Sequence, residues 1–396
     1  MDFPLFHLDF FGNRALIAVI AMIHVFISHP LAVGALPLVV FLERWGQRSG
    51  RPEIDRLAHR VLGACFIITT SVGALTGVGI WFSISLVNPA ATGALIRFFF
   101  WPWFAEWGVF VVEVVLLMLY FLSWKRMRAR KDAHVAIGVG LALFSWLTMV
   151  IITGILGFMM DPGSWSGARS FWTGFFNPMY LPQLCLRTGL AAMGGGLFGL
   201  FLVYFFTRGQ RELRVRITRG VAMWTLAWLP VAVVGALWYR ARVPQWMVDN
   251  NLEVALTTVA YTRWAELVVV LLGVAAAAIV GISLWGLVHP RSVPRVVLLV
   301  PFGLSLVLLG YYERVREFVR KPYVIVDYMY ANGLRVDDYP LLQEEGLLTH
   351  ATHTAVRRLS DDNRLRAGRE LFRLACTRCH TTTGINGPRG RPEGLS

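Results

Sequence analysis

Charge is scarce in this chain. Only 16% of its 396 residues are Asp, Glu, Lys or Arg, and three of the 38 cations are lysine. Soluble domains carry about a quarter charged residues, so an aqueous globule is excluded. Cysteine is sparse too, at four residues, and only one C-x-x-C pair can be formed from them. Cys65 and Cys185 fall inside apolar runs, where small buried thiols are ordinary. No cleavable leader is expected either: Met1 to Gly12 is aromatic and nearly uncharged, and the first apolar run is too long for one.

What is present is apolar surface. The chain is 56% hydrophobic with a mean hydropathy of +0.56. Several runs exceed the ~20 residues that cross a bilayer as a helix. The pattern predicts an all-α polytopic bundle of eight membrane helices, at about 14–42, 59–86, 97–124, 133–160, 178–206, 220–239, 262–288 and 294–314, in two four-helix halves. Residues 1–320 form this membrane unit. Residues 321–396 are polar and form a small extramembrane tail that holds the C-x-x-C pair.

The net charge of +14 has the wrong distribution for nucleic acid. One set of loops carries Arg44, Arg48, Arg51, Arg56 and Arg60, then Lys125, Arg126, Arg128, Arg130 and Lys131, then Arg208, Arg211, Arg214, Arg216 and Arg219. The alternate loops hold Arg97, Arg169, and the pair Arg240 and Arg242. The positive-inside rule therefore puts both termini on the periplasmic side of a bacterial inner membrane.

Cys376-Thr377-Arg378-Cys379-His380 spells the attachment site of a c-type haem. Two thiols add to the haem vinyl groups, and the adjacent His is the proximal iron ligand. A zinc half-site and a redox dithiol are the other readings. Residues 368–372 read as an amphipathic helix leading into the motif, and Gly387-Pro388 follows it. Neither Met nor His occurs in the sixteen residues after His380, so a distal ligand has to come from His350, His353, Met329, a partner chain or residues beyond this sequence.

Ionisable groups within membrane helices are costly and point to function. His24 lies about ten residues into the first helix and His29 deeper. Glu106 and Glu113 lie at matching depths in the third helix, since each residue rises ~1.5 Å. A His with a carboxylate opposite suits an axial haem site; the second carboxylate suits a proton route. Interhelical hydrogen bonds are the plainer alternative. His59, His134 and His289 fall at helix ends, where interfacial placement accounts for them.

Across residues 14–326 the chain resembles subunit I of the cytochrome bd quinol oxidases. The likeness rests on His24-x5-Pro30-Leu31-Ala32-Val33-Gly34 running to Leu42-Glu43, on the stretch from Gly73 to Gly79, on Glu106-x6-Glu113 running to Trp124-Lys125-Arg126, and on Glu317-x2-Arg320-Lys321-Pro322-Tyr323. The resemblance implies that His24 and Glu106 serve the oxygen-reducing haem and that Glu113 lies on the proton path. It also implies that Glu317 binds a b-type haem, with Arg320 on a propionate or carboxylate. Counted from Pro30 and Glu113, His24 and Glu106 are one residue out of register, so His29 is a rival ligand.

The departures are specific. In the family a fifth-helix His and a seventh-helix Met hold a low-spin haem beside the quinol site. Here Asn177-Pro178 leads to Arg187-Thr188, no Met stands near Trp264-Ala265-Glu266-Leu267, and no long quinol loop is recognisable in 240–262. Arginine stays protonated and does not ligate iron. The resemblance thus implies loss of this haem, with Arg187 and Glu266 expected to form an ion pair in its place.

The function expected is that of a haem oxidoreductase subunit in a respiratory complex. Electrons would pass between one or two noncovalent b- or d-type haems and one covalent haem c, with oxygen reduction if one iron stays open. The expected partners are other membrane subunits, a periplasmic c-type cytochrome, quinone and lipid, but not nucleic acid. A quinol-to-cytochrome relay and a non-catalytic anchor carrying haem c alone are the alternatives.

Overall fold

The computed structural model describes residues 6–257 and 262–382. Among them are eight helices long and apolar enough to cross a membrane: Asn13–Arg48, Pro52–Val87, Phe100–Ser123, Arg128–Met160, Tyr180–Phe206, Arg211–Arg242, Ala265–Val288 and Arg295–Val319. They are called the first to eighth spans below. The expected all-α bundle is therefore observed. The only strands among the described residues are Tyr323–Ile325 and Met329–Tyr330, a short antiparallel hairpin after the eighth span.

The fifth span is the axis of the bundle. Its most apolar stretch is 72% buried, against 33% or less for every other span. Small residues make this possible, because membrane helices associate through close backbone approach rather than through a hydrophobic drive. A Cβ added at Gly34 of the first span would meet the Ala191 carbonyl oxygen at 1.9 Å, and one at Gly195 would meet the Gly34 carbonyl carbon at 2.1 Å. Both neighbours are backbone and cannot swing away. Gly195→Val is accordingly expected to lower stability by about 1–3 kcal/mol or more, read as an earlier thermal unfolding midpoint in detergent. An unchanged midpoint would refute this contact.

Two spans contain π-helical segments. Residues Ser28–Ala35 of the first span form a π-helical segment, as do Thr69–Gly73 of the second. Pro30 has no N–H to donate, which favours a local wide turn in the first. The two segments are neighbours; His29 lies within the first of them and His24 on the α-helical turn before it.

The two faces of the bundle differ. On one, short arginine-rich turns join the spans. On the other, the tail face, helices Pro89–Phe98, Phe171–Phe175 and Gln245–Leu256 form a cap. The hairpin belongs to this cap by packing: Ile325 and Met329 are buried with Ala91, Leu95, Phe99 and Phe158, and Val326 with Met160, Met179 and Met247. Beyond it, Leu348, Val356 and Ala367 make a small separate core under helix Arg364–Ala375. That helix is the amphipathic lead into Cys376 expected from the sequence. Gly387-Pro388 lies outside the described residues.

Candidate functional site

The two first-span histidines face different neighbours. Five residues along a helix turn the side chain by about 140° net, so His24 and His29 cannot both look toward the third span. His24 leans on the second span instead. Its Nδ1 lies 3.3 Å from the Gly73 carbonyl oxygen and 3.3 Å from Thr76 Oγ1. Gly77 makes room for the ring, because a Cβ there would stand 3.2 Å from His24 Cε1. With Nδ1 bound to a carbonyl, that nitrogen carries the proton and Nε2 keeps its lone pair, the arrangement that suits a metal-ligating imidazole.

His29 is fully engaged. Arg187 Nη1 donates to His29 Nε2 over 2.7 Å, and Ser28 Oγ lies 3.1 Å from Nδ1. A guanidinium only donates, so the Nε2 lone pair is already used. The expected level-by-level pairing of His24 with Glu106 and of His29 with Glu113 is thus not what the structure brings together. Glu106, half-buried, has no hydrogen bond or ion pair to another described residue. Glu113 is buried seven residues further along the same face of the third span and lies beside the Ser145 side chain of the fourth.

The expected ion pair of Arg187 with Glu266 is also corrected. Glu266 is exposed at the start of the seventh span. Arg187 Nη2 reaches Glu313 of the eighth span at 3.0 Å, the two side chains being 3% and 10% exposed. Arg316 Nε donates to the other oxygen of Glu313 at 2.9 Å. One turn on, Arg320 Nη2 and Lys321 Nζ both bind Glu317, the latter at 2.7 Å. Burial pulls the basicity of Arg320 and Lys321 below the ordinary range, and Glu317 opposes it.

This cluster is unsaturated in one sense only. Four cations face two carboxylates, an excess of two positive charges. Six buried donor atoms have no partner: Arg187 Nε, Arg316 Nη1, Arg320 Nε and Nη1, and the hydroxyls of Tyr239 and Tyr312. The two tyrosine rings are 6.0 Å apart. Orphaned buried donors are rare and call for a ligand or water. A group bearing two carboxylates matches both the charge and the donors. Glu317, by contrast, has both oxygens bonded, so the cradle offers cations more readily than a free carboxylate.

Glu313 and Arg316 were missed in the sequence although a signal exists. Glu-x-x-Arg occurs twice, one turn apart, in Glu313 to Arg316 and Glu317 to Arg320. His134 is also corrected. It is not interfacial but wholly buried on the arginine face, between Glu43 Oε1 at 2.6 Å and the Tyr120 carbonyl at 2.9 Å. Lys131 Nζ binds Glu43 at 2.8 Å and Asp55 at 2.6 Å, and Tyr120 donates to Glu43 at 2.6 Å. Lys131→Met strips a cation from a buried carboxylate and is expected to cost about 3–5 kcal/mol. Adding Glu43→Gln should recover much of the loss in thermal unfolding; additive losses would contradict the network.

At the tail, Cys376, Cys379 and His380 form a tight turn, with the Cys379 and His380 amides donating to the Cys376 carbonyl at 3.0 and 2.9 Å. His380 is exposed. Arg378, between the cysteines, points back into the body. Its Nε donates to the Val87 carbonyl at the end of the second span over 3.3 Å, and burial pushes its basicity down to about 10. Of the distal-ligand candidates, Met329 is buried in the cap and His350 binds Glu345 at 2.8 Å.

Comparison with known proteins gives a consistent answer. No curated protein matches the sequence. The fold is similar to that of the bd oxidase from Geobacillus thermodenitrificans, with a TM-score of 0.63 over 86% of this chain and 95% of that one, at 16% identity. The family model for cytochrome bd terminal oxidase subunit I matches residues 13–244, more than half of the chain. Members are multi-pass proteins of the bacterial inner membrane that bind b- and d-type haems and work in electron transport with other membrane subunits. With its eight spans and its cationic, donor-rich cluster, this chain belongs to the cytochrome bd terminal oxidase subunit I family.

Proposed function

We propose that this chain is the haem-bearing subunit of a membrane oxidoreductase that exchanges electrons between an intramembrane b- or d-type haem and a c haem on Cys376 and Cys379. His24 holds the intramembrane iron through Nε2, with Nδ1 anchored on Gly73 and Thr76. His29 does not, because Arg187 occupies its lone pair. Arg316, Arg320 and the two tyrosines receive the propionates of a b-type haem, and Glu317 holds Arg320 and Lys321 in place for that role. When bound, the haems supply one-electron chemistry and, at an open iron, oxygen reduction. Glu113 and Glu106, on one face of the third span, relay protons toward that site.

The observation that carries the reading is the placement of the C-x-x-C-H turn. Arg378 fastens it to the carbonyl end of the second span, where the helix dipole favours a cation. Thr76, which holds His24, lies eleven residues down the same span, about 16 Å along its axis. The arginine distribution supports a periplasmic position for this face, where a c-type cytochrome would reach His380. Further membrane subunits and, on the membrane side, quinone complete the expected set of partners.

The test is stopped-flow reduction of the purified complex by a reduced soluble c-type cytochrome. The c band should rise first and the intramembrane band after it, and the Cys376→Ala/Cys379→Ala variant should lose both phases. Equal reduction of the intramembrane haem in that variant would overturn the proposed route.

A further inference from the structure

One groove lined by described residues has no part in the haem reading. It opens on the arginine face with a volume of about 940 Å³, between the end of the first span, the start of the sixth, and the turn joining the seventh and eighth. Five arginines converge on it: Arg44 and Arg48 from the first span, Arg216 and Arg219 from the sixth, and Arg291 from the turn. Glu212 is the single carboxylate in the lining, and its contact with Arg291 is a loose 3.7 Å. Arg44 binds Asp132, and Arg219 Nε donates to the Leu287 carbonyl at 3.2 Å. Arg48 and Arg216 form no ion pair among the described residues.

The walls below these cations are apolar. The Phe41 and Trp45 rings lie 6.0 Å apart on the first span, tilted by 38°, and the Trp45 ring lies where a Cβ at Gly220 would meet it at 2.4 Å. Met223 and Val288, about half exposed, continue the wall toward the level of the acyl chains. Cations at a rim above an apolar, lipid-facing wall match one ligand class in particular. Guanidinium groups bind phosphate in bidentate fashion, and basic pockets between membrane helices take anionic headgroups.

We infer that this groove is a binding site for an anionic phospholipid, with a headgroup bearing two phosphates favoured. Arg48 and Arg216 clasp the phosphates from two sides, and the acyl chains run down Met223 and Val288. Such a lipid would join the first and sixth spans at the rim, above the contact of Trp45 with Gly220. The inference does not depend on the haem reading, nor on which side of the membrane the face occupies.

The experiment is native mass spectrometry of the delipidated complex with added diphosphatidylglycerol, phosphatidylglycerol or phosphatidylethanolamine. The wild type should retain diphosphatidylglycerol most strongly, and Arg48→Gln/Arg216→Gln should weaken that retention at least tenfold. Arg126→Gln/Arg128→Gln, on a different loop of the same face, should leave it unchanged. Size-exclusion profiles identical to wild type show that the variants remain folded. Equal retention of all three lipids, or equal loss in both double variants, would overturn the site. So would displacement by inorganic pyrophosphate without measurable lipid binding, which would make the ligand a soluble anion.

Discussion

Alanine at position 24 is expected to abolish binding of an intramembrane haem, whereas alanine at position 29 is expected to leave it bound. The two histidines are five residues apart on one helix, and sequence alone does not choose between them. Their partners do. The His24 ring is set by the Gly73 carbonyl and Thr76, so its distal nitrogen is available to iron. The His29 lone pair is occupied by Arg187, itself held by Glu313. Removing His29 leaves one buried guanidinium nitrogen without an acceptor, at a cost of about 1–3 kcal/mol. Haem content per chain, from the pyridine haemochrome of each variant, checks the pair. Haem lost in His29→Ala and retained in His24→Ala would reverse the assignment.

Arg187→Met is the second large effect. Arg187 and Glu313 form a buried ion pair, and breaking such a pair by removing one partner costs about 3–5 kcal/mol. The loss arises from the carboxylate left behind, which Arg316 then neutralises from one side only. The double variant Arg187→Met/Glu313→Gln is therefore expected to be more stable than the sum of the two single changes predicts. Thermal unfolding of the four proteins in the same detergent gives the coupling. Strict additivity would mean that the two groups do not act as a pair. If Arg187 occupies the site of a lost low-spin haem, none of the four should gain a haem signal there.

Much of the architecture was legible because the signals were long. Runs of twenty or more apolar residues gave eight spans, and each expected span overlaps an observed one. The expected matching of levels between the first and third spans failed for a physical reason. Depth along an axis is set by residue count, but the direction a side chain faces is set by the angle around the helix. Five residues and a π-helical segment put His24 and His29 on different sides. Arg187 shows the same limit: its need for a carboxylate was readable, but the choice of Glu313 over Glu266 depends on how the eighth span crosses the fifth. Glu313 could have been found from the repeated Glu-x-x-Arg, whose second copy was already in view. His134 was misplaced because a position near a helix end says nothing about burial when Glu43, Asp55 and Lys131 close over it.

The central claim is that one chain carries both a covalent c haem and a haem held by side chains within the membrane. Acidified-acetone extraction of the purified protein, followed by pyridine haemochrome spectra of the extract and of the residue, tests it directly. The account predicts b- or d-type haem in the extract and one c-type haem per chain remaining on the protein, the latter lost in Cys376→Ala/Cys379→Ala. An extract without haem would contradict the intramembrane site, and a residue without haem would contradict the attachment at Cys376 and Cys379.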